Sequence, residues 1–246
     1  MNYRAFVISL ERATERFAHA GTLAAQLPLP TEILPAVDGS AARPDEIEAV
    51  YHRGLHRPTY PFELKTGEIG CFLSHRTAWK QIVERNLSAA LVLEDDVCID
   101  RDLLNRAVDF ASTNCPRGAY VQLPVRPLPS NARRLCCGDR CRIVCPRVTP
   151  LRTSGQWVTR GAAEKLLAIT QAFDRPVDSM LQMYWITGVR LLAIAPSGIA
   201  DMTADLGGST IGTGKDRRLT FRTVSREANR AWYRRRIARL SAAWHN

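Results

Sequence analysis

The chain has 246 residues, enough for one domain with a single sizeable core, and its 46% hydrophobic and 24% charged content is that of an ordinary globular protein. No uninterrupted apolar run reaches the ~18 residues of a transmembrane helix, and the opening MNYRAFVISLERATER returns to charge too early for a secretory signal, so a cytoplasmic protein is expected. The net charge of +10 is uneven: residues 215–246 hold Lys215, nine arginines and two acids, leaving +2 for residues 1–214, which argues against a nucleic-acid surface spread over the body.

Tyr3–Leu10 reads as a buried strand, Glu11–Leu27 as a helix ending at Pro28, and Thr31–Val37 as a second strand closed by Asp38-Gly39. This β-α-β order predicts a parallel sheet. A short helix is expected over Asp45–Tyr51. Thr66–Arg85 is the clearest helix, with Thr66 as N-cap and Ile69, Phe72, Leu73, Trp79, Ile82 and Val83 on one stripe. Ser74 falls off that stripe, as a surface serine would. Ser88–Leu93 is a continuous apolar run that fits a strand covered on both faces. Further on, Asp102–Phe110 and Gly161–Ala172 read as helices, and Tyr120–Leu123, Ser154–Thr159 and Val189–Ala195 as strands. DSMLQMYW reads as one helix, Thr203–Gly214 as loop, and the chain beyond Arg217 as helix.

Residues 124–150 form an excursion with a hairpin that carries four of the seven cysteines. The odd count argues against a disulfide framework. Zinc on Cys136, Cys137, Cys141 and Cys145 is an alternative to reduced thiols that serve as small apolar residues, but the usual C-x2-C spacing is missing.

The most informative residues are Glu94-Asp95-Asp96 at the exit of the Ser88–Leu93 strand. Adjacent carboxylates repel one another. A bound cation offsets that repulsion, and ligands gather beyond the carboxyl ends of strands in open α/β sheets. Hard oxygen ligands suit Mg2+ or Mn2+, which in turn hold nucleotide phosphates. A solvated acidic turn is the alternative. On the preceding helix Glu68 and His75 lie seven residues apart on nearly one face, and His75 falls within the apolar stripe, where a plain core histidine would also sit.

These residues, in this order, resemble glycosyltransferase family 25, the lipopolysaccharide-type galactosyltransferases related to collagen galactosyltransferase domains. The resemblance is carried by FVISLERATER, Ala36-Val37-Asp38-Gly39, GEIGCFLSHRTAWKQIVE with ALVLEDDV, SGQWVTRGAAEKLL, Pro176-Val177-Asp178 and GGSTIG around Ser209. It implies a GT-A-like, Rossmann-type single α/β domain over 1–214 with a mixed, mostly parallel sheet, followed by a basic helical tail over 215–246. It implies inverting transfer of a hexose, galactose from UDP-galactose first among them, onto a lipopolysaccharide or other surface glycan, with Mn2+ or Mg2+ as cofactor. In that reading Glu94, Asp95 and Asp96 hold the metal and diphosphate. Arg12, Arg16, Asp38, Glu68, Ser74 and Asp95 meet the donor, and Asp178, Asp96 and His75 serve the chemistry, Asp178 as the carboxylate reaching the acceptor. Plainer roles remain open: a turn residue for Asp38, a solvated helix face for Arg12, an N-cap for Asp178. Residues 131–147 depart from the family, and Trp157 stands where a tyrosine is common.

In the tail, Arg222, Arg226, Arg230 and Arg234 form a column, and Tyr233, Ile237, Leu240 and Trp244 an apolar stripe. This pattern fits either an anionic membrane surface beside a lipid-linked acceptor, on the inner face of the cytoplasmic membrane, or packing on the domain. Nucleic acid is disfavoured. Two further readings stand beside the transferase. A metal-dependent nucleotidyltransferase would normally carry a glycine-rich phosphate loop, which VISLERATER lacks. A non-catalytic binding module would use the acids structurally.

Overall fold

The computed structural model describes residues 2–130, 132–138, 140–206 and 221–243, the last stretch with side chains from 225 to 242. Strand β1 (Tyr3–Ser9), helix α1 (Thr14–Ala24) and strand β2 (Thr31–Pro35) open the chain, and α2 (Pro44–Glu48) and the long α3 (Thr66–Glu84) lead to β3 (Ala89–Glu94). Then come β4 (Val97–Ile99), α4 (Arg101–Asn114), β5 (Tyr120–Gln122), the hairpin β6 (Arg133–Cys137) and β7 (Arg142–Cys145), β8 (Gly155–Thr159) and α5 (Arg160–Ile169). The chain closes with α6 (Val177–Leu181), α7 (Tyr184–Thr187), β9 (Leu191–Ala195), β10 (Ile199–Asp201) and α8 (Phe221–Ala243).

Eight strands form one sheet in the order β2-β1-β3-β8-β5-β9-β7-β6. β1 runs parallel to β2 and β3, and β5 parallel to β9. β8 opposes both of its neighbours, and β7 opposes β9 and β6, so the other six strands share one direction. The sheet is thus the expected mixed, mostly parallel one of a Rossmann-type α/β domain. β1 and β3 alternate as strands covered on both faces must. Phe6, Ile8, Ala90 and Val92 pack with Phe72 and Trp79 of α3, while Ala5, Val7, Leu91 and Leu93 pack with Leu23 of α1 and Leu104 of α4. The chain passes from β1 outward to β2 and returns on the other side of β1 as β3, which makes the carboxyl ends of β1 and β3 a topological switch point.

Several local expectations are corrected. Helix α3 is capped one residue earlier than Thr66, where the Lys65 N–H donates to the Glu68 carboxylate at 2.8 Å. Ser74 is buried rather than exposed. Its hydroxyl donates to Gly70 O at 2.7 Å and accepts the Val37 N–H at 2.8 Å, tying the loop after β2 to α3. The DSMLQMYW segment breaks into α6 and α7 around Gln182 and Met183, and Asp178 sits inside the first turn of α6 rather than at its N-cap, Pro176. Trp157 is a buried core residue, edge-on to Tyr3 at 5.0 Å. The cysteine-rich excursion is the expected hairpin. Among the described residues its four thiols do not converge as a metal would require, and Cys136 instead donates to Asn114.

Helix α8 lies against the domain. Tyr233 and Ile237 are buried with Met183, and the Tyr233 hydroxyl takes a 2.8 Å hydrogen bond from the fully buried Arg175. Tyr233 and Ile237 of the apolar stripe are therefore covered by the domain, while Arg235, Arg236 and Arg239 face water. No helix among the described residues is long and apolar enough to cross a membrane. The Ser209 element, Trp244, the Arg222 side chain and the expected boundary at 214/215 lie outside the described residues.

The loop after β2 meets α3 at two glycines. A Cβ on Gly70 would lie 2.5 Å from Val37 O and 2.7 Å from Gly39 N, both backbone atoms. Gly70→Ala is expected to cost about 2 kcal/mol by overpacking, several degrees of melting temperature, despite alanine's better helix propensity. A variant that melts at or above the wild-type temperature would show that this loop can lift off α3 freely.

Candidate active site

Glu94, Asp95 and Asp96 leave β3 at the switch point, and the three side chains part company there. Asp95 turns into the protein. Its Oδ2 accepts from Ser9 at the end of β1 at 2.7 Å, and its Oδ1 pairs with Arg16 of α1. The same guanidinium reaches Asp96 Oδ2 at 3.0 Å. One buried arginine thus bridges two adjacent carboxylates and offsets much of their repulsion.

Glu94 and Asp96 face the open side. Glu94 Oε1 accepts from Thr153 at 2.6 Å and lies 3.0 Å from His75 Nε2, which makes Nε2 the protonated nitrogen. Burial works against the Glu94 charge, but the bonds from His75 and Thr153 and the Arg16 charge outweigh it and hold the carboxyl below its usual range. Asp96 goes the other way. Burial and the Glu94 charge push it up to about 6, against the pull of Arg16 and a 3.1 Å contact with the Thr203 hydroxyl. Its Oδ1 is buried without a hydrogen-bond partner among the described residues.

Two cavities meet at this pair. One, of about 110 Å3, runs past Ser9, Arg12, Val37, Asp38 and Gly39. Arg12 grips Asp38 through two bonds, 2.5 Å from Nε and 3.2 Å from Nη2, and holds that carboxyl far below its normal range, with Ser40 assisting. The other, of about 340 Å3, contains Asp178, Glu68, Tyr60 and Arg152. Asp178 accepts the backbone N–H groups of Arg152 at 3.1 Å and Ser179 at 2.6 Å, yet burial still pushes its carboxyl up. Glu94, Asp96 and Cys71 line both cavities. The Cys71 thiol is pushed well up by burial and then by the charges of Glu94, Asp178, Asp96 and Glu68, so four carboxylates converge around it.

The expected site residues therefore divide. Glu94 and Asp96 line both cavities, Glu68 and Asp178 the larger, and Arg12, Asp38, Ser74 and His75 the smaller. Arg16 and Asp95 form the buried brace between β1, α1 and β3. Sequence reasoning missed Thr153, Arg152, Thr203, Cys71 and Tyr60. Thr153 arrives because β8 runs antiparallel to β3, which sets Leu93 opposite Gly155. Thr203 arrives on the β4–β10 ribbon, where Met202 N–H donates to Asp96 O at 2.8 Å. Only Cys71, one helical turn before His75, carried a local signal.

A divalent cation fits this arrangement. The buried, unpartnered Asp96 Oδ1 and the half-buried Glu94 supply hard oxygen donors in a pocket rich in carboxylates. Asp95, with both oxygens engaged internally, does not present a free donor. Cys71, His75 and Glu94 also bring one donor atom each within 4.8 Å of one another.

Asp96 should mark its environment in a pH series. A carboxyl raised to about 6 in the fold, against 3.8 ordinarily, stabilises the folded state fully below pH ~4 and loses that contribution as pH rises through 6. The unfolding free energy of wild type relative to Asp96→Asn is thus expected to fall between pH 4 and 6 and level off above. Urea melts at four pH values test this, and a flat difference would place Asp96 in water.

The sequence model described as "Glycosyltransferase family 25 (LPS biosynthesis protein)" matches residues 2–122. A glycosyltransferase 25 family member of Drosophila pseudoobscura pseudoobscura is 38% identical over 98 residues, 39% of this chain and 16% of that protein. Human procollagen galactosyltransferase 2 is 36% identical over 95 residues, 37% of this chain and 15% of that protein. The mouse inactive glycosyltransferase 25 family member 3 is 34% identical over 95 residues. The chain thus spans only about a sixth of the length of these relatives. Among solved structures, S. aureus TarS 1–349 overlays 84% of this chain and 62% of its own at 12% identity with a TM-score of 0.46, too loose a likeness to bear on function. Residues 2–122, which carry the Glu94–Asp96 exit at the switch point between β1 and β3, match glycosyltransferase family 25.

Proposed function

We propose that the chain is an inverting glycosyltransferase that moves a hexose, galactose from UDP-galactose in the first instance, onto a glycan or lipid-linked saccharide. The observation that carries this is the shared wall: Glu94 and Asp96 line both the cavity beside Asp38 and Arg12 and the cavity beside Asp178. A transferase needs two substrates meeting at one charged centre. The smaller cavity is the donor side, where Arg12 and Asp38 frame the nucleoside and the loop of Val37 and Gly39 rests on α3. Mn2+ or Mg2+ held by Glu94 and Asp96 would stabilise the departing diphosphate as a Lewis acid. His75 orients Glu94 through its Nε2–H, and Arg16 and Asp95 set the backbone from which both carboxylates project.

The larger cavity is the acceptor side. Asp178, buried and raised, has two backbone N–H bonds to fix its direction and serves as the base that takes the acceptor hydroxyl proton. The protein would act on the cytoplasmic side of the membrane, where its basic helix could also meet anionic lipid.

Glu94→Gln and Asp96→Asn are each expected to lower Mn2+-dependent UDP-galactose hydrolysis roughly 100-fold. Asp178→Asn should keep donor hydrolysis while transfer to acceptor falls by about the same factor or more. Asp95→Asn, which strips Arg16 of a buried partner, should lower stability by about 3 kcal/mol. Kinetics and thermal melts on the four variants separate these roles. Near-wild-type turnover in both Glu94→Gln and Asp96→Asn would end the reading.

A further inference from the structure

The larger cavity does not stop at its own rim. Tyr60, Leu151 and Ser179 belong also to an adjoining groove of about 260 Å3 between α8 and the domain. Phe62, Val148 and Ile237 make its lining apolar, and Arg230 and Arg234 stand on its α8 side. The chemistry reverses across the shared residues, from carboxylates to hydrocarbon and guanidinium. Both arginines are exposed. Arg230 lies over the Phe62 ring at 5.5 Å and pairs with Glu227, while Arg234 has no ion-pair partner among the described residues.

The groove is braced. Tyr60 and Tyr233 meet edge to face at 5.3 Å. Arg175 donates to Tyr233 on α8 and also to His56 O and Pro58 O, each at 3.1 Å. Segment 56–62 and α8 are therefore one wall rather than a body and a loose tail.

We propose that this groove is the second half of the acceptor site and takes a phosphate carried on a hydrocarbon chain, the phosphoryl oxygens on Arg230 and Arg234 and the chain along Phe62 and Ile237. This rests on the transferase reading, because it assigns to one acceptor molecule both a hydroxyl beside Asp178 and an anionic, apolar end under α8. Guanidinium groups suit phosphate oxygens, and Phe62, Val148 and Ile237 suit a hydrocarbon chain.

Decyl phosphate, kept monomeric and titrated calorimetrically into the full chain, tests it. Decyl phosphate should bind, with inorganic phosphate and decanol each at least about tenfold weaker. Arg230→Ala and Arg234→Ala should each weaken it roughly tenfold, while Arg239→Ala on the outward face of α8 changes it less than about twofold. Both substituted arginines are exposed, so melting temperatures should hold. Equal weakening by Arg239→Ala would mean a general anionic surface such as a membrane and would overturn the groove, as would binding indifferent to Arg230 and Arg234, or none. UDP-galactose hydrolysis is measured alongside. Hydrolysis without decyl phosphate binding removes the groove alone, whereas absence of hydrolysis sinks the transferase reading beneath it.

Discussion

The Arg16 guanidinium, set between Asp95 and Asp96, is the interaction on which the rest of this site depends. Three consecutive carboxylates at the end of a buried strand would repel one another and pull β3 toward water. With Asp95 locked to Arg16 and Ser9, the middle acid becomes an internal tie between β1, α1 and β3. Glu94 projects the other way, while Asp96 is held by the same guanidinium through Oδ2 and keeps Oδ1 without a hydrogen-bond partner among the described residues. The charge that looks like a liability in the sequence is split into a structural third and a chemical two-thirds.

That division gives the cleft its polarity. His75, Thr153 and Arg16 hold Glu94 ionised, while burial and the Glu94 charge keep Asp96 near 6. Two neighbouring carboxylates in one site thus have opposite tendencies, a pattern associated with functional rather than purely structural acids. Asp178, raised by burial on the far wall, completes a basin of negative charge around the Cys71 thiol. A cation would relieve that basin, and Asp96 Oδ1, without a hydrogen-bond partner among the described residues, is a donor with which to receive it.

The C-terminal helix is tied to the body of the domain. Arg175 is buried among Asp174, the carbonyls of residues 56 and 58, and the Tyr233 hydroxyl. Removing any one partner would leave a buried charge under-satisfied. The helix is therefore a wall of the groove that adjoins the cleft, and Arg230 and Arg234 stand on it.

Period and composition determined the β1-α1-β2 start, the α3 stripe, the two-sided burial of β3 and the acidic exit, because each is written in a few consecutive residues whose neighbours in space are also neighbours in sequence. Glu94 and Asp96 were legible for that reason, and His75 and Asp178 through the family resemblance. Tertiary structure alone decided which acid of the triplet turns inward, since that depends on Arg16, 79 residues away. It also decided that Ser74 is buried, that antiparallel β8 delivers Thr153 to Glu94, and that Tyr233 and Ile237 of the tail pack with Met183 and Tyr60. Each of these is settled by long-range strand pairing and helix docking, whose partners leave no local period for a sequence to display.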